Sequence, residues 1–452
     1  MPCCAAVAGR RSDYPKCIGP DAGDLPCKPS MTSATAHNRT RPFALIAVLW
    51  LIVAGYACFV GWKHFEGHAR ASRGERPLYT DYTPTYAASL LVREQPPANL
   101  YDARRMTEAG RLAAHAMYDG LSEEQARGVG FAPWMYPPTF ILLIAPLAYL
   151  PYLLSWIVWL AATGLPYLAA MRQILPGPLA WPFALAAPPA FFNVMYGQTG
   201  FLTAGLIGLG LSQLPKHPIR AGVLIGLASV KPHFGVLIPL AFVAGGHWRA
   251  FAAATVTVIA TIVASVLAFG DDPWFAFIGT ALFHLDGFSA GAFNFVPMTT
   301  VLSTVHRAGL PLDTAWTAQF ATAGLMIAIV IHAWWRGRKR LDTLGLQAAI
   351  LCLATPLAIP MAYLYDLVLI VPAAAWIWAD MQARGASNAA RLVLTVMLAA
   401  LLAAKTIAGA FGIQIAAPAV AILLAVALHR YQGALLHHET GHGTDAAAAQ
   451  FA

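Results

Sequence analysis

Apolar residues fall along this chain in long blocks separated by charge, proline or glycine. Twelve blocks stand out: 43–62, 152–171, 179–195, 199–213, 219–230, 234–246, 248–269, 314–335, 342–359, 361–379, 391–409 and 412–429. A block of about 20 apolar residues is long enough to cross a bilayer as a helix. The pattern therefore predicts an all-α polytopic membrane protein with about twelve transmembrane helices. The segment between the first two blocks differs. In "YDARRMTEAGRLAAHAMY", residues 101–118, Met106, Ala109, Ala113, Ala116 and Met117 share one helical stripe, with Arg and Glu opposite. Ser122 and Gln125 have capping-box spacing for a second short helix. The following "FAPWMYPPTFILLIAPLAYLP" mixes Trp, Tyr and Pro as interfacial or re-entrant segments do.

Composition supports the membrane reading. Hydrophobic residues make up 58% of the 452, and charged residues 11%, against about 25% charged in ordinary soluble domains. The net charge of +8 needs no nucleic-acid partner, because the basic residues cluster in short loops. With the N-terminus in the cytoplasm, the inner side receives Arg172, Lys216, Arg220, Arg249, the run Arg336–Arg338–Lys339–Arg340, Arg384, Arg391 and Arg430. The short outer loops receive little beyond Lys231, Arg307 and Lys405. The expected organisation is a disordered cytoplasmic tail over 1–41, a membrane domain over 42–430 and a second disordered cytoplasmic tail over 431–452. Within the membrane domain, 63–138 forms a long outer loop carrying surface helices. Met31 is a candidate start, and Cys3 and Cys4 are candidate acylation sites set against a plain tail. The six cysteines show no zinc-site spacing.

That topology gathers polar residues on the outer face. Asp81, in "YTDYTPTY", sits among tyrosines at a helix entry; it reads either as a helix cap or as a base at the membrane edge. Lys231, in "ASVKPHFGV", lies between two blocks too short to span, with Pro232 breaking the helix. It reads as a snorkelling lysine or, with His233, as a cation for phosphate. Gln198 in "YGQTG" is a turn residue or a neutral hydrogen-bond donor. Asp366 in "MAYLYD" is a capping acid or a substrate contact. Residues 283–309 are a plain loop or a lid, with His306 or Arg307 reaching phosphate. Tyr82, Tyr86, Tyr136 and Tyr365 are candidate substrate contacts. Neither a metal nor a cofactor is expected, and no glycine-rich phosphate loop follows a strand.

Taken in order, "DYTPTYAASLLVREQPPANLYD", "YPPTFILLIAPLAYLP", "YGQTGFLTAGLI", "AGVLIGLASVKPHFGVLIPLAF" and "TPLAIPMAYLYDLVLIVPA" resemble glycosyltransferase family 87. That family contains polyprenyl-phosphate-dependent mannosyltransferases of the GT-C class. The resemblance implies a bacterial-type plasma-membrane enzyme with a GT-C-like fold. Its donor would be a polyprenyl-phosphate sugar carrying a hexose such as mannose, and its acceptor a lipid or glycan, with membrane lipids as surroundings. It also implies that Asp81, the acid of the first outer loop, is the catalytic base, and that Lys231 and His233 hold the donor phosphate. Many GT-C enzymes carry two adjacent acids in that loop; this chain has one, which argues against a metal site built on paired carboxylates. The competing class is a polytopic transporter or flippase for a lipid-linked sugar, which broken helices also suit. A transporter would show two related halves, and no internal repeat is visible.

Overall fold

A computed structural model of the chain describes residues 34–118, 120–127 and 133–439. The cysteines of the N-terminal tail and Met31 lie outside the described residues. The described residues form helices joined by short turns, with a single isolated β-bridge between Met298 and Tyr363. The chain is a polytopic membrane protein: eight helices among the described residues are long and apolar enough to span, namely Phe43–Ser72, Tyr152–Ile174, Trp248–Phe269, Leu312–Gly337, Leu341–Ala358, Asp366–Ala383, Asn388–Phe411 and Ala416–Leu436.

The other four expected spans are shorter. Block 179–195 is two helices, Ala180–Ala186 and Pro188–Tyr196, because consecutive prolines at 188 and 189 can start a helix but not continue one. Blocks 199–213, 219–230 and 234–246 correspond to the short apolar helices Gly200–Gln213, Pro218–Val230 and Pro232–Gly245. The break at Lys231 falls where Pro232 demanded it. The first helix overruns its block to Ser72, and Gly74, in a left-handed conformation, turns the chain after it. The last helix runs to Glu439, past the boundary placed at 430.

Two helices make the centre. Leu344–Ala358 is buried along its whole length and Ile370–Ala383 along most of it, as helices that are apolar on every side must be. Tyr152–Ile174, Gly200–Gln213, Leu312–Gly337 and Ala416–Glu439 pack around them. Close approach uses small residues, the usual device where lipid supplies no hydrophobic drive. At Gly222 and Gly226 an added Cβ would stand 2.3 Å from the Ala250 carbonyl oxygen and 2.7 Å from that of Ala254, so only glycine lets these helices touch.

The segment after the first span folds as short helices. Tyr82–Glu94, Pro97–Tyr101 and Ala103–Met117 pack with Trp134, Phe140 and Trp159 into a separate apolar cluster, and Glu123–Arg127 follows them. The capping box forms reciprocally: Gln125 N–H donates to Ser122 Oγ at 3.2 Å, and Ser122 N–H to Gln125 Oε1 at 3.0 Å. The buried stripe of Ala103–Met117 is rotated slightly from the expected one. Gly110 and Ala114 are buried with Met106, Ala109 and Ala113, whereas Ala116 is exposed. Tyr118, Leu121 and Ala126 draw Ala114 into contact with the end of the first helix.

Candidate functional site

Seven segments distant in the chain meet around a cavity of about 780 Å³. Its polar lining includes Asp81, Tyr136, Gln198, Lys231, His233, Tyr365 and Asp366. These are seven of the ten residues singled out from sequence.

Asp81 stands at the N-cap position of the Tyr82–Glu94 helix, yet its carboxylate makes no capping bond. Instead Oδ2 accepts a hydrogen bond from Gln198 Nε2 at 3.3 Å, across 117 residues of chain. Gln198 is held in turn by the Tyr136 hydroxyl, which donates to its Oε1 at 3.1 Å. The glycines on either side of "GQTG" explain how Gln198 gets there. Gly197 ends the preceding helix with φ +66°, and an added Cβ would sit 2.6 Å from Tyr82 Cβ. A Cβ on Gly200 would sit 2.3 Å from the Tyr365 carbonyl oxygen. The turn is thus wedged between the Asp81 and Asp366 segments. Burial pushes the Asp81 carboxyl above the ordinary carboxylate range, while the Gln198 bond, Lys405 and Lys231 pull it partly back.

Lys231 and Asp366 are partners. Lys231 Nζ lies 2.6 Å from Asp366 Oδ1, and both side chains are buried. The other Asp366 oxygen accepts the Tyr363 amide at 3.1 Å. Rings of Tyr136, Tyr365 and Phe234 surround the ammonium at 5.3–5.9 Å from their centroids. The pair presents little net charge to the cavity. His233 lines the cavity beside it, its ring next to Phe234.

Three expected residues do not line the cavity. Tyr82 is fully buried behind Asp81, with its hydroxyl 2.5 Å from Ser155 Oγ. Tyr86 donates to the Leu150 carbonyl at 2.9 Å. Both pack against Tyr152, so they brace the Asp81 turn and do not face a ligand. Arg307, expected to reach phosphate, turns away and donates to the Ala408 carbonyl. His306 packs on Phe295. The 270–313 region does contribute to the wall, through Phe277, Ala281, Phe293, Asn294 and Pro297.

One cation that the sequence placed on the outer face was not among the candidate site residues. Lys405 lines the cavity, is exposed, and donates to the Tyr196 hydroxyl at 2.5 Å across 209 residues. The signal for it was the topology, which put this lysine of block 391–409 on the same side as Lys231. Among the described residues no group of three or more His, Cys, Asp or Glu side chains could hold a metal ion.

The model of glycosyltransferase family 87 matches residues 134–360, half of the chain. That stretch holds Tyr136, Gln198, Lys231 and His233, while Asp81, Asp366 and Lys405 reach the same cavity from outside it. Neither the comparison with curated proteins nor that with solved structures returned a match. With half its length matched and eight apolar helices long enough to span, the chain belongs to glycosyltransferase family 87 and is a polytopic membrane glycosyltransferase.

Proposed function

We propose that the enzyme moves a hexose, mannose by the family's example, from a polyprenyl-phosphate sugar to a lipid or glycan acceptor at the outer membrane face, with inversion. The observation that carries this reading is the state of Asp81. Its carboxylate sits at a helix start without capping it, lines a cavity of ligand size, and is held by a neutral amide. A carboxylate so placed suits a general base. In the reaction the acceptor hydroxyl attacks the anomeric carbon while Asp81 takes its proton. The bond from the anomeric carbon to the phosphate oxygen breaks, and the polyprenyl phosphate leaves with that electron pair. Such a leaving group needs no proton, only positive charge or donors around it.

Those donors are assigned differently from the sequence expectation. Lys231 is already neutralised by Asp366, so its role is to fix the cavity wall between His233 and Tyr365. Among the described residues Lys405 has only a tyrosine hydroxyl as its hydrogen-bond partner, and it is the cation we assign to the departing phosphate, with His233 as a second, neutral donor. Membranes supplied with radiolabelled polyprenyl-phosphate mannose test the reading by transfer of label to endogenous lipid or glycan. Asp81→Asn keeps the shape and the Gln198 contact and should abolish transfer at unchanged protein level. Transfer at the normal rate would remove Asp81 from the chemistry.

A further inference from the structure

Five tyrosines line the cavity: Tyr79, Tyr136, Tyr196, Tyr363 and Tyr365. Three of them use their hydroxyls within the protein. Tyr79 donates to the Gln125 carbonyl at 3.3 Å, Tyr136 donates to Gln198 Oε1 at 3.1 Å, and Tyr196 accepts from Lys405 at 2.5 Å. The Tyr363 and Tyr365 hydroxyls bond no protein group among the described residues, and neither oxygen is sealed from the cavity. Both side chains are part-buried, with their rings 5.4 Å apart and 22° from parallel.

The backbone beneath this pair is pinned on both sides. Tyr363 bridges to Met298, and the Ala362 carbonyl accepts the Thr299 amide at 2.8 Å and the Thr299 hydroxyl at 3.1 Å. The Tyr363 amide donates to Asp366 Oδ2 at 3.1 Å, and its carbonyl accepts the Asp366 amide at 2.9 Å. Two hydrogen-bond donors are thus fixed in place before a ligand arrives, which lowers the cost of ordering them. Burial, followed by the charges of Asp366 and Asp81, pushes the Tyr363 phenol up to about 12 and the Tyr365 phenol well above its ordinary value. Both stay protonated at neutral pH and are able to donate. A row of rings joins them to the cation assigned to phosphate. Lys405 bonds Tyr196, whose ring stands edge-on to Tyr365 at 5.9 Å, and Tyr365 stacks on Tyr363. In a sugar phosphate a single oxygen separates phosphorus from the sugar ring. A phosphate at Lys405 therefore brings its hexose to these two tyrosines.

We infer that Tyr363 and Tyr365 recognise the sugar: their hydroxyls donate hydrogen bonds to the hydroxyls of the hexose carried by the donor lipid. Paired neutral donors suit a pyranose, whose hydroxyls are neutral acceptors. The inference rests on the proposed polyprenyl-phosphate donor and adds which wall of the cavity reads its sugar. A glycoside acceptor shares the hydroxyl chemistry, and the row of rings from Lys405 favours the donor.

Native mass spectrometry of the purified full-length protein, offered polyprenyl-phosphate mannose, bare polyprenyl phosphate or octyl mannoside, tests it. Tyr363→Phe and Tyr365→Phe keep the stacked rings and remove only the hydroxyls. Each should lower retention of the mannosyl lipid about twofold to tenfold, as loss of one neutral hydrogen bond does. Retention of bare polyprenyl phosphate should stay at the wild-type level. Tyr149→Phe removes an exposed hydroxyl outside the cavity and should change neither. An equal fall for both polyprenyl lipids, no fall for either, or the same fall with Tyr149→Phe would overturn the inference and leave the donor reading standing. A fall confined to octyl mannoside would give the pair to a glycoside acceptor and overturn the assignment to the donor. Retention of neither polyprenyl lipid by the wild type would overturn the donor reading, and the inference with it.

Discussion

The two ends of the central helices handle charge in opposite ways. At the end with the cavity, one acid and one lysine are buried as a pair 2.6 Å apart, and Asp81 is held by an uncharged amide. At the other end Arg340, Arg384 and Arg430 share Asp342 and Asp380 in a partly exposed lattice. The first arrangement neutralises one acid with a lysine and leaves the other, Asp81, bonded only to the Gln198 amide among the described residues. The second ties segments together by sharing three arginines between two aspartates. The proposed transfer draws on the former, where a carboxylate stands without a cation bonded to it, while the latter holds helix ends together. The comparison can be broken by removing the carboxylate, the buried pair or the close contacts that hold them.

The largest effect should come from Asp81→Asn. Loss of a general base lowers turnover by about 10²–10⁴-fold, and a radiolabel assay should show that fall while thermal stability stays near wild type. Next comes the buried pair. Lys231→Ala leaves Asp366 buried without its cation, a change of about 3–5 kcal/mol where it has been measured in other proteins. Denaturation in detergent should show the loss, and Asp366→Asn should show a comparable one. Joint Lys231→Met with Asp366→Leu should regain much of the stability without regaining activity. A Lys231→Ala protein of normal stability with weakened donor binding would restore lysine as a phosphate ligand and remove the contrast between the two ends.

That contrast also governs what could be read from sequence. Arg384 and Asp380 are four residues apart on one helix, and Arg340 lies two from Asp342, so these pairs are local and visible. The site bonds cross 117, 135 and 209 residues, and no local pattern reports them. Sequence could show that Asp81, Gln198, Lys231 and Asp366 stand at helix ends predicted to share one face. It could not show that Lys231 and Asp366 would neutralise each other, because both were read singly against lipid. Nor could it show that Tyr82 and Tyr86 turn inward, since an aromatic beside an acid fits a brace as well as a ligand contact. The apolar blocks were legible because bilayer thickness imposes a length. The four short ones show the limit of that rule: prolines and a lysine break helices that other protein surrounds.

Gly200→Ala tests the wedge between the two acid segments. The new methyl would meet the Tyr365 carbonyl oxygen at 2.3 Å, and backbone on both sides must yield. Overpacking of this kind costs about 1–3 kcal/mol. The melting temperature should fall, and turnover should fall further than stability explains, because Gln198 and Tyr365 part. Wild-type turnover in this variant would mean that the geometry around Gln198 is not required.

The smallest expected effect separates two roles of Lys405. Burial raises the Asp81 carboxyl, and Lys405 is the leading charge that lowers it again. Lys405→Gln should therefore raise it further. A base works only when deprotonated, so the rate falls as pH drops through its pKa, and the acid limb of the profile should move to higher pH. The shift should be small, since Lys405 is exposed and screened by salt. At pH well above both values Asp81 is ionised in both proteins and that difference vanishes. Any loss that remains on the plateau, seen as a raised KM for the polyprenyl-phosphate donor, then belongs to the phosphate contact. A shifted limb with an unchanged plateau would leave Lys405 as a neighbour of the base only. An unshifted limb with a lower plateau would leave it as a phosphate ligand only.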